Sequence, residues 1–121
     1  MAKYLAIIYG NRESWASLPA DQWPAAIAAQ ERFNDRFRAS GELTSTFGLA
    51  DESQARTVRV RDGVAAVTDG PYLETKEYVA SAFVLDCASR ERALEVAAEI
   101  PFAAVNAVEV WPIQHGDAGV S

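Results

Sequence analysis

The chain has 121 residues, 50% of them apolar and 23% charged, with 17 acidic against 11 basic side chains and a net charge of -6. That length fits one domain, able to bury roughly two-thirds of the surface its unfolded chain exposes, and the composition excludes a disordered or solvating chain. No run of Lys or Arg is long enough to follow a phosphate backbone, Cys87 has no second cysteine to pair with, and a lone His leaves no cluster at metal-ligand spacing, so no nucleic acid, disulfide framework, metal or other cofactor is expected.

The N-terminal residues run straight into an apolar stretch too short for a secretory leader, and no segment approaches the ~20 apolar residues of a membrane span. The cytoplasm is the expected location. Residues 3–9 are apolar at both parities, the pattern of a central strand covered on both faces. A loop is expected over 11–20. Asp21 then stands as an N-cap, with Pro24 in the first turn of a helix that runs to about Ala39 and stops at Ser40-Gly41. Trp23, Ala26, Ile27, Phe33 and Phe37 fall within an arc of about 120° on that helix. Gln30 interrupts the arc: it either satisfies buried backbone groups or lines a cavity between helix and sheet.

Residues 42–49 alternate with one wetter face and predict an edge strand. Strict alternation over 57–61, the pair Asp62-Gly63 and the run 64–68 predict a hairpin with a two-residue turn. Residues 78–86, apolar on both faces, make a second central strand. Ser89 caps a helix to Ile100 with Glu91 in its first turn, Pro101 stops it, and 105–111 is the last strand. The polar tail, 114–121, is expected to fray, which leaves His115 solvated. Cys87, near the Ser89 cap, is either a thiol of lowered pKa or a small inert core residue.

The order is strand, helix, strand, hairpin, strand, helix, strand. It fits an α+β ferredoxin-like sandwich with an inserted β-hairpin over 1–113, with the two doubly apolar strands in the middle of the sheet. Two helices cover one side only, so a homodimer across the other face is expected.

Between the hairpin and the second central strand lies Asp69-Gly70-Pro71-Tyr72-Leu73-Glu74-Thr75-Lys76-Glu77, a stiff turn carrying four charged groups. Asp69 can fold the turn by accepting backbone N–H bonds, or serve as a catalytic base if burial or another carboxylate lifts its pKa. Glu74 and Lys76 share a face in extended structure while Glu77 takes the other. Lys76 is either half of a surface ion pair or a ligand-binding cation. Tyr9, at the end of the first strand, and Tyr72 offer ring and hydroxyl to a ligand, or pack in a core or interface.

Those motif residues, with Lys3-Tyr4-Leu5, Ile8-Tyr9-Gly10, Ser40-Gly41-Glu42-Leu43, Thr57-Val58-Arg59 and Val108-Glu109-Val110-Trp111-Pro112, resemble the YCII-related family in its DGPF subgroup, with Tyr72 where the family has Phe. The resemblance implies a dimeric α-β barrel with a cleft near the motif. Enzymatic relatives are expected to use a His-Asp pair. Asp69 takes the Asp place, whereas His115 matches no motif position. Subgroup members are often encoded beside extracytoplasmic-function sigma factors. Three functions are therefore expected to compete: a small-molecule or regulatory site using Tyr9, Tyr72, Glu74 and Lys76; a cofactor-independent lyase or dehydrochlorinase-like enzyme using Asp69; and an interaction module for a sigma factor.

Overall fold

The structure, a computed structural model, describes residues 2–116, so 117–121 of the expected fraying tail lie outside the described residues. Strands β1 (Ala2–Gly10), β2 (Leu43–Gly48), β5 (Tyr78–Cys87) and β6 (Val108–Pro112) form an antiparallel sheet in the order β2-β5-β1-β6. β3 (Arg56–Arg61) and β4 (Val64–Asp69) pair only with each other. This mixed α+β arrangement is compatible with a ferredoxin-like unit. The two doubly apolar strands, β1 and β5, are central, and the wetter β2 lies at an edge.

Alternation along β1 sorts its side chains. Tyr4, Ala6 and Ile8 are buried, and with Phe83, Leu85 and Cys87 of β5 they meet Phe33 and Phe37 of α2 (Trp23–Ala39) and Ala93, Val96 and Ala97 of α3 (Arg90–Ala98). Phe33 packs on Phe37 at 4.8 Å and edge-on against Phe83 at 5.6 Å, separations typical of favourable aromatic pairs. Leu5 and Ile7 face the opposite way and are half-buried. Phe47 and Trp111, paired in register with Ala82 and Leu5, share this open side and are 49% and 56% exposed.

Several boundaries differ from expectation for local reasons. The 11–20 loop contains a helix, α1 (Arg12–Ala16), closed by a capping box in which Asn11 Oδ1 accepts from the Ser14 amide at 2.6 Å and Ser14 Oγ accepts from the Asn11 amide at 3.0 Å. Asp21 does not cap α2. A 3₁₀ turn over Ala20–Gln22 places it inside helical backbone, and Gln22 occupies the cap position without a side-chain bond. Ile27 is exposed because the buried stripe of α2 is restricted to its C-terminal half. Ser89 does cap α3, accepting from the Arg92 amide at 3.1 Å. Past Ile100 the chain forms a 3₁₀ turn, Pro101–Ala104, so the last strand starts only at Val108.

Asp62 and Gly63 both adopt positive φ, 51° and 76°, as a two-residue hairpin turn of the primed type requires. Nearly every hairpin residue is exposed, and register places Val58, Val60, Ala65 and Val67 on one face. Such a ribbon is marginal alone. Its base is held by the Gly70 amide donating to Ala55 O at 2.8 Å and by Thr57 Oγ1 donating to Gly70 O at 2.8 Å.

α3 is tied to the start of β2 by Arg92, whose Nε and Nη2 donate to both Glu42 carboxylate oxygens at 2.7 and 3.0 Å. The Arg92 hydrogen bonds hold the Glu42 pKa below its ordinary 4.5. A carboxylate depressed by folding stabilises fully above its unfolded pKa, and that contribution fades as pH falls through the folded value. Glu42→Gln should therefore lower the melting temperature at pH 7 and flatten the stability loss below pH 4.5, as measured by thermal melts across an acid series. Parallel curves for the two proteins would contradict this.

Candidate functional site

The 69–77 loop roofs a cleft of about 700 Å³ at one end of the sheet. Gly70 turns the chain at φ 85°, and its ideal Cβ position has open space around it, so backbone conformation rather than crowding calls for glycine here. Thr75 and Lys76 are fixed from below. The Thr75 amide donates to Tyr78 Oη at 3.2 Å, and Asn11 Nδ2 donates to Lys76 O. The Tyr72 ring lies under the Arg59 guanidinium at 4.9 Å, and its hydroxyl accepts from Arg59 Nη2 at 3.2 Å.

The opposite wall comes from two places distant in sequence. One is the linker after β2, contributing Leu49, Ala50, Asp51, Glu52 and Ala55, and the other is the edge formed by Tyr9, Tyr78 and Val79. A register shift between β1 and β5 after Ile8 pairs Val79 with Tyr9, whereas Ser81 pairs with Ile8. An extra residue in one strand re-aims the side chains beyond it, so Val79 joins Tyr9 in the cleft instead of following Phe83 and Leu85 into the core.

The electrostatics are one-sided. Asp51, Glu52 and Glu77 line the cleft, and none of its described lining residues is Lys, Arg or His. Asp51 accepts from the amide and hydroxyl of Ser53, and the side-chain and backbone bonds hold its carboxyl below the usual range. Glu52 accepts from the Arg12 amide at 2.7 Å. Tyr9 donates its hydroxyl to Glu109 Oε1 at 2.8 Å, and Trp111 Nε1 donates to the same oxygen at 3.0 Å. The bond to Glu109 raises the Tyr9 pKa and lowers that of Glu109. Tyr9 is therefore a neutral phenol engaged as a donor, leaving oxygen lone pairs to a ligand.

Of the residues singled out in the sequence, Tyr9 and Tyr72 line the cleft. Lys76 lines an adjoining recess with Asn11, Arg12 and Glu13, and Glu74 lines neither space. The Asp69 side chain is 94% exposed, lies outside the cleft lining and pairs with Arg56 Nε at 3.2 Å. The turn here uses the Gly70 amide and carbonyl rather than an Asp69 cap. His115 is exposed beyond β6 and lines none of these spaces. Cys87 is buried, and burial pushes its thiol pKa up, the inert alternative. Gln30 takes the cavity alternative, its amide bonding a side chain one turn on.

Sequence inspection missed Tyr78, Val79 and the whole 49–55 wall. Tyr78 adjoins the motif, so proximity could have flagged it. The linker carries no local signal. Among the described residues no group of three or more His, Cys, Asp or Glu could hold a metal ion, and no helix is long and apolar enough to cross a membrane.

A profile of the YCII-related domain matches residues 2–115. An uncharacterized protein of Rhizobium meliloti (strain 1021) is 29% identical over 114 residues, covering 89% of this chain and 90% of the relative. Among solved structures, the 5-chloro-2-hydroxyhydroquinone dehydrochlorinase of Burkholderia phenoliruptrix AC1100, in complex with 2,5-dihydroxybenzoquinone, is similar at 15% identity with a TM-score of 0.48, over 94% of this chain and 95% of that one.

Proposed function

This chain belongs to the YCII-related family, and from that premise we propose that it binds a small molecule in the cleft beneath the 69–77 loop, as a homodimer joined through the open face of its sheet. The observation that carries the binding reading is the cleft itself: about 700 Å³ with apolar walls from Leu49, Ala55, Pro71, Leu73 and Val79, and three tyrosines at its polar points. Ligand sites have this composition and size. Three carboxylates and no cation among the described lining residues disfavour an anionic ligand, so the expected ligand is a neutral apolar or phenolic compound able to hydrogen-bond the tyrosine oxygens.

The second copy is supported by Leu5, Ile7, Val84, Phe47 and Trp111, which lie on the side of the sheet that α2 and α3 leave uncovered. Isologous pairing would bury this surface twice with a single patch. Tyr9 and Val79 stand at its rim, so the cleft would open beside the partner. In this reading Asp69 stays outside the binding site and pairs with Arg56 at the hairpin base.

The test is a thermal-shift titration with 4-ethylphenol against 4-hydroxybenzoate. The phenol should stabilise the protein by about 2.7 kcal/mol once its concentration reaches a hundredfold excess over Kd, while the carboxylate should do far less. Val79→Trp, which fills the cleft floor, should abolish the shift, and Asp69→Asn should keep it. A phenol shift that survives Val79→Trp would place binding elsewhere, and one lost in Asp69→Asn would restore that carboxylate to the site.

A further inference from the structure

A second recess, of about 520 Å³, lies on the helix side of the sheet, between α2 and the β2–β5 edge. Leu49 is common to its wall and to that of the cleft, and between the two lies a gap of only about 30 Å³, lined by Trp15, Leu49 and Ala80 among others. The two volumes share only Leu49 among their described lining residues. The recess is walled by aromatic rings that brace one another: Trp15 lies 6.5 Å from Trp23 and meets Phe102 edge-on at 5.4 Å. None of its described lining residues carries an ionisable side chain.

Beside the Thr46 and Ser81 hydroxyls and the Trp15 and Trp23 indole N–H groups, its lining carries one pair of side-chain amides. Gln30 and Asn34, both half-buried and both in the lining, are joined by a hydrogen bond from Gln30 Nε2 to Asn34 Oδ1 at 2.9 Å. Successive turns of α2 bring the two amides together. In this arrangement Gln30 Oε1 and Asn34 Nδ2 have no partner among the described residues, so the amide pair offers one acceptor and one donor side by side. A leucine at position 30 would have continued the apolar stripe and filled the space. The chain instead has an amide there, half-buried beside aromatic rings, with its remaining polar atoms accessible to a ligand.

We propose that this recess is a second binding site, taking an uncharged flat aromatic molecule whose ring carries a hydrogen-bond acceptor beside a donor, such as an aromatic carboxamide. The ring stacks among Trp15, Trp23 and Phe102. Its carbonyl accepts from Asn34 Nδ2, and its N–H donates to Gln30 Oε1. The absence of ionisable groups from the described lining selects against charged analogues of the same shape, because nothing there compensates their desolvation. This site shares no polar residue with the cleft beneath the 69–77 loop, so either can fail without the other.

The tryptophans make the test specific. Trp15 and Trp23 line the recess, whereas Trp111 lies on the open sheet face. Titrating benzamide at millimolar concentrations, with the indole N–H resonances followed by NMR, should shift two of the three and leave that of Trp111 in place. Benzoate, the charged isostere, should bind at least about tenfold more weakly, and Gln30→Leu should weaken benzamide by about tenfold, one good polar contact. Gln30→Leu should hold or raise the melting temperature, which separates a lost contact from a lost fold. Absence of any Trp15 or Trp23 shift, equal binding of benzoate, or unchanged benzamide affinity in Gln30→Leu would each overturn the proposal.

Discussion

Ile8→Asp is expected to prevent folding, while its neighbour Ile7→Asp leaves a folded monomer. Ile8 is 1% exposed beneath the helices, in the cluster with Phe37, Leu85 and Ile100. A carboxylate there would be buried without a charged partner, and the loss of apolar packing adds to that penalty. Together they amount to about 5 kcal/mol or more, comparable with the whole stability of an ordinary domain, about 5–15 kcal/mol. Ile7 lies on the other face, half-buried and uncovered by any helix. Asp at that position keeps its hydration in the monomer and loses it only when a second copy closes over the face. Far-ultraviolet circular dichroism and light scattering distinguish the outcomes. Ile8→Asp should lose helical signal, and Ile7→Asp should keep it at monomer mass. A dimer that persists in Ile7→Asp would exclude the open sheet face as the contact between copies.

Gly10→Val should produce the second large effect, by expelling Trp15. An ideal Cβ on Gly10 would lie 2.6 Å from Trp15 Cζ2 and 2.8 Å from Cε2. No side chain fits while the indole remains, and valine adds two further carbons. Gly10 ends β1 without a positive φ, so its need for glycine is one of space and not of backbone conformation. Displacing Trp15 breaks its contacts with Trp23 and Phe102 and loosens α1, from which Asn11 reaches Lys76 O and the Arg12 amide reaches Glu52. Overpacking of this kind costs about 1–3 kcal/mol. The melting temperature should fall, tryptophan emission should shift to longer wavelength, and ligand binding in the cleft should weaken because its Glu52 wall is no longer held. Gly10→Val/Trp15→Ala should recover much of the stability if the clash is the cause. No recovery would mean that the strand end itself is intolerant of valine.

The sequence by itself determined those features that depend on residues close in the chain. Alternation and double apolarity identified β1 and β5 as central strands. Asp62-Gly63 specified a turn with two positive φ angles, and Ser89 specified the start of α3. Tyr9 and Tyr72 were legible as rings with hydroxyls at a strand end and in a stiff turn, suited equally to a ligand or to packing. Short-range sterics and hydrogen bonding act over a few residues, so they leave a local signature.

Tertiary structure decided what depended on distant partners. The register shift after Ile8 turned Val79 into the cleft, against the parity of its own strand. The 49–55 linker became a wall because β2 and the hairpin bring it under the 69–77 loop. Asp69 points to solvent beside Arg56 because the Gly70 amide and carbonyl, bonded to Ala55 and Thr57, pin the turn without it. Gln30 lines a recess because Trp15 and Phe102, remote in the chain, close the space on its far side. Each of these contacts joins segments separated by more than a dozen residues, and neither side of such a contact carries a pattern that names the other.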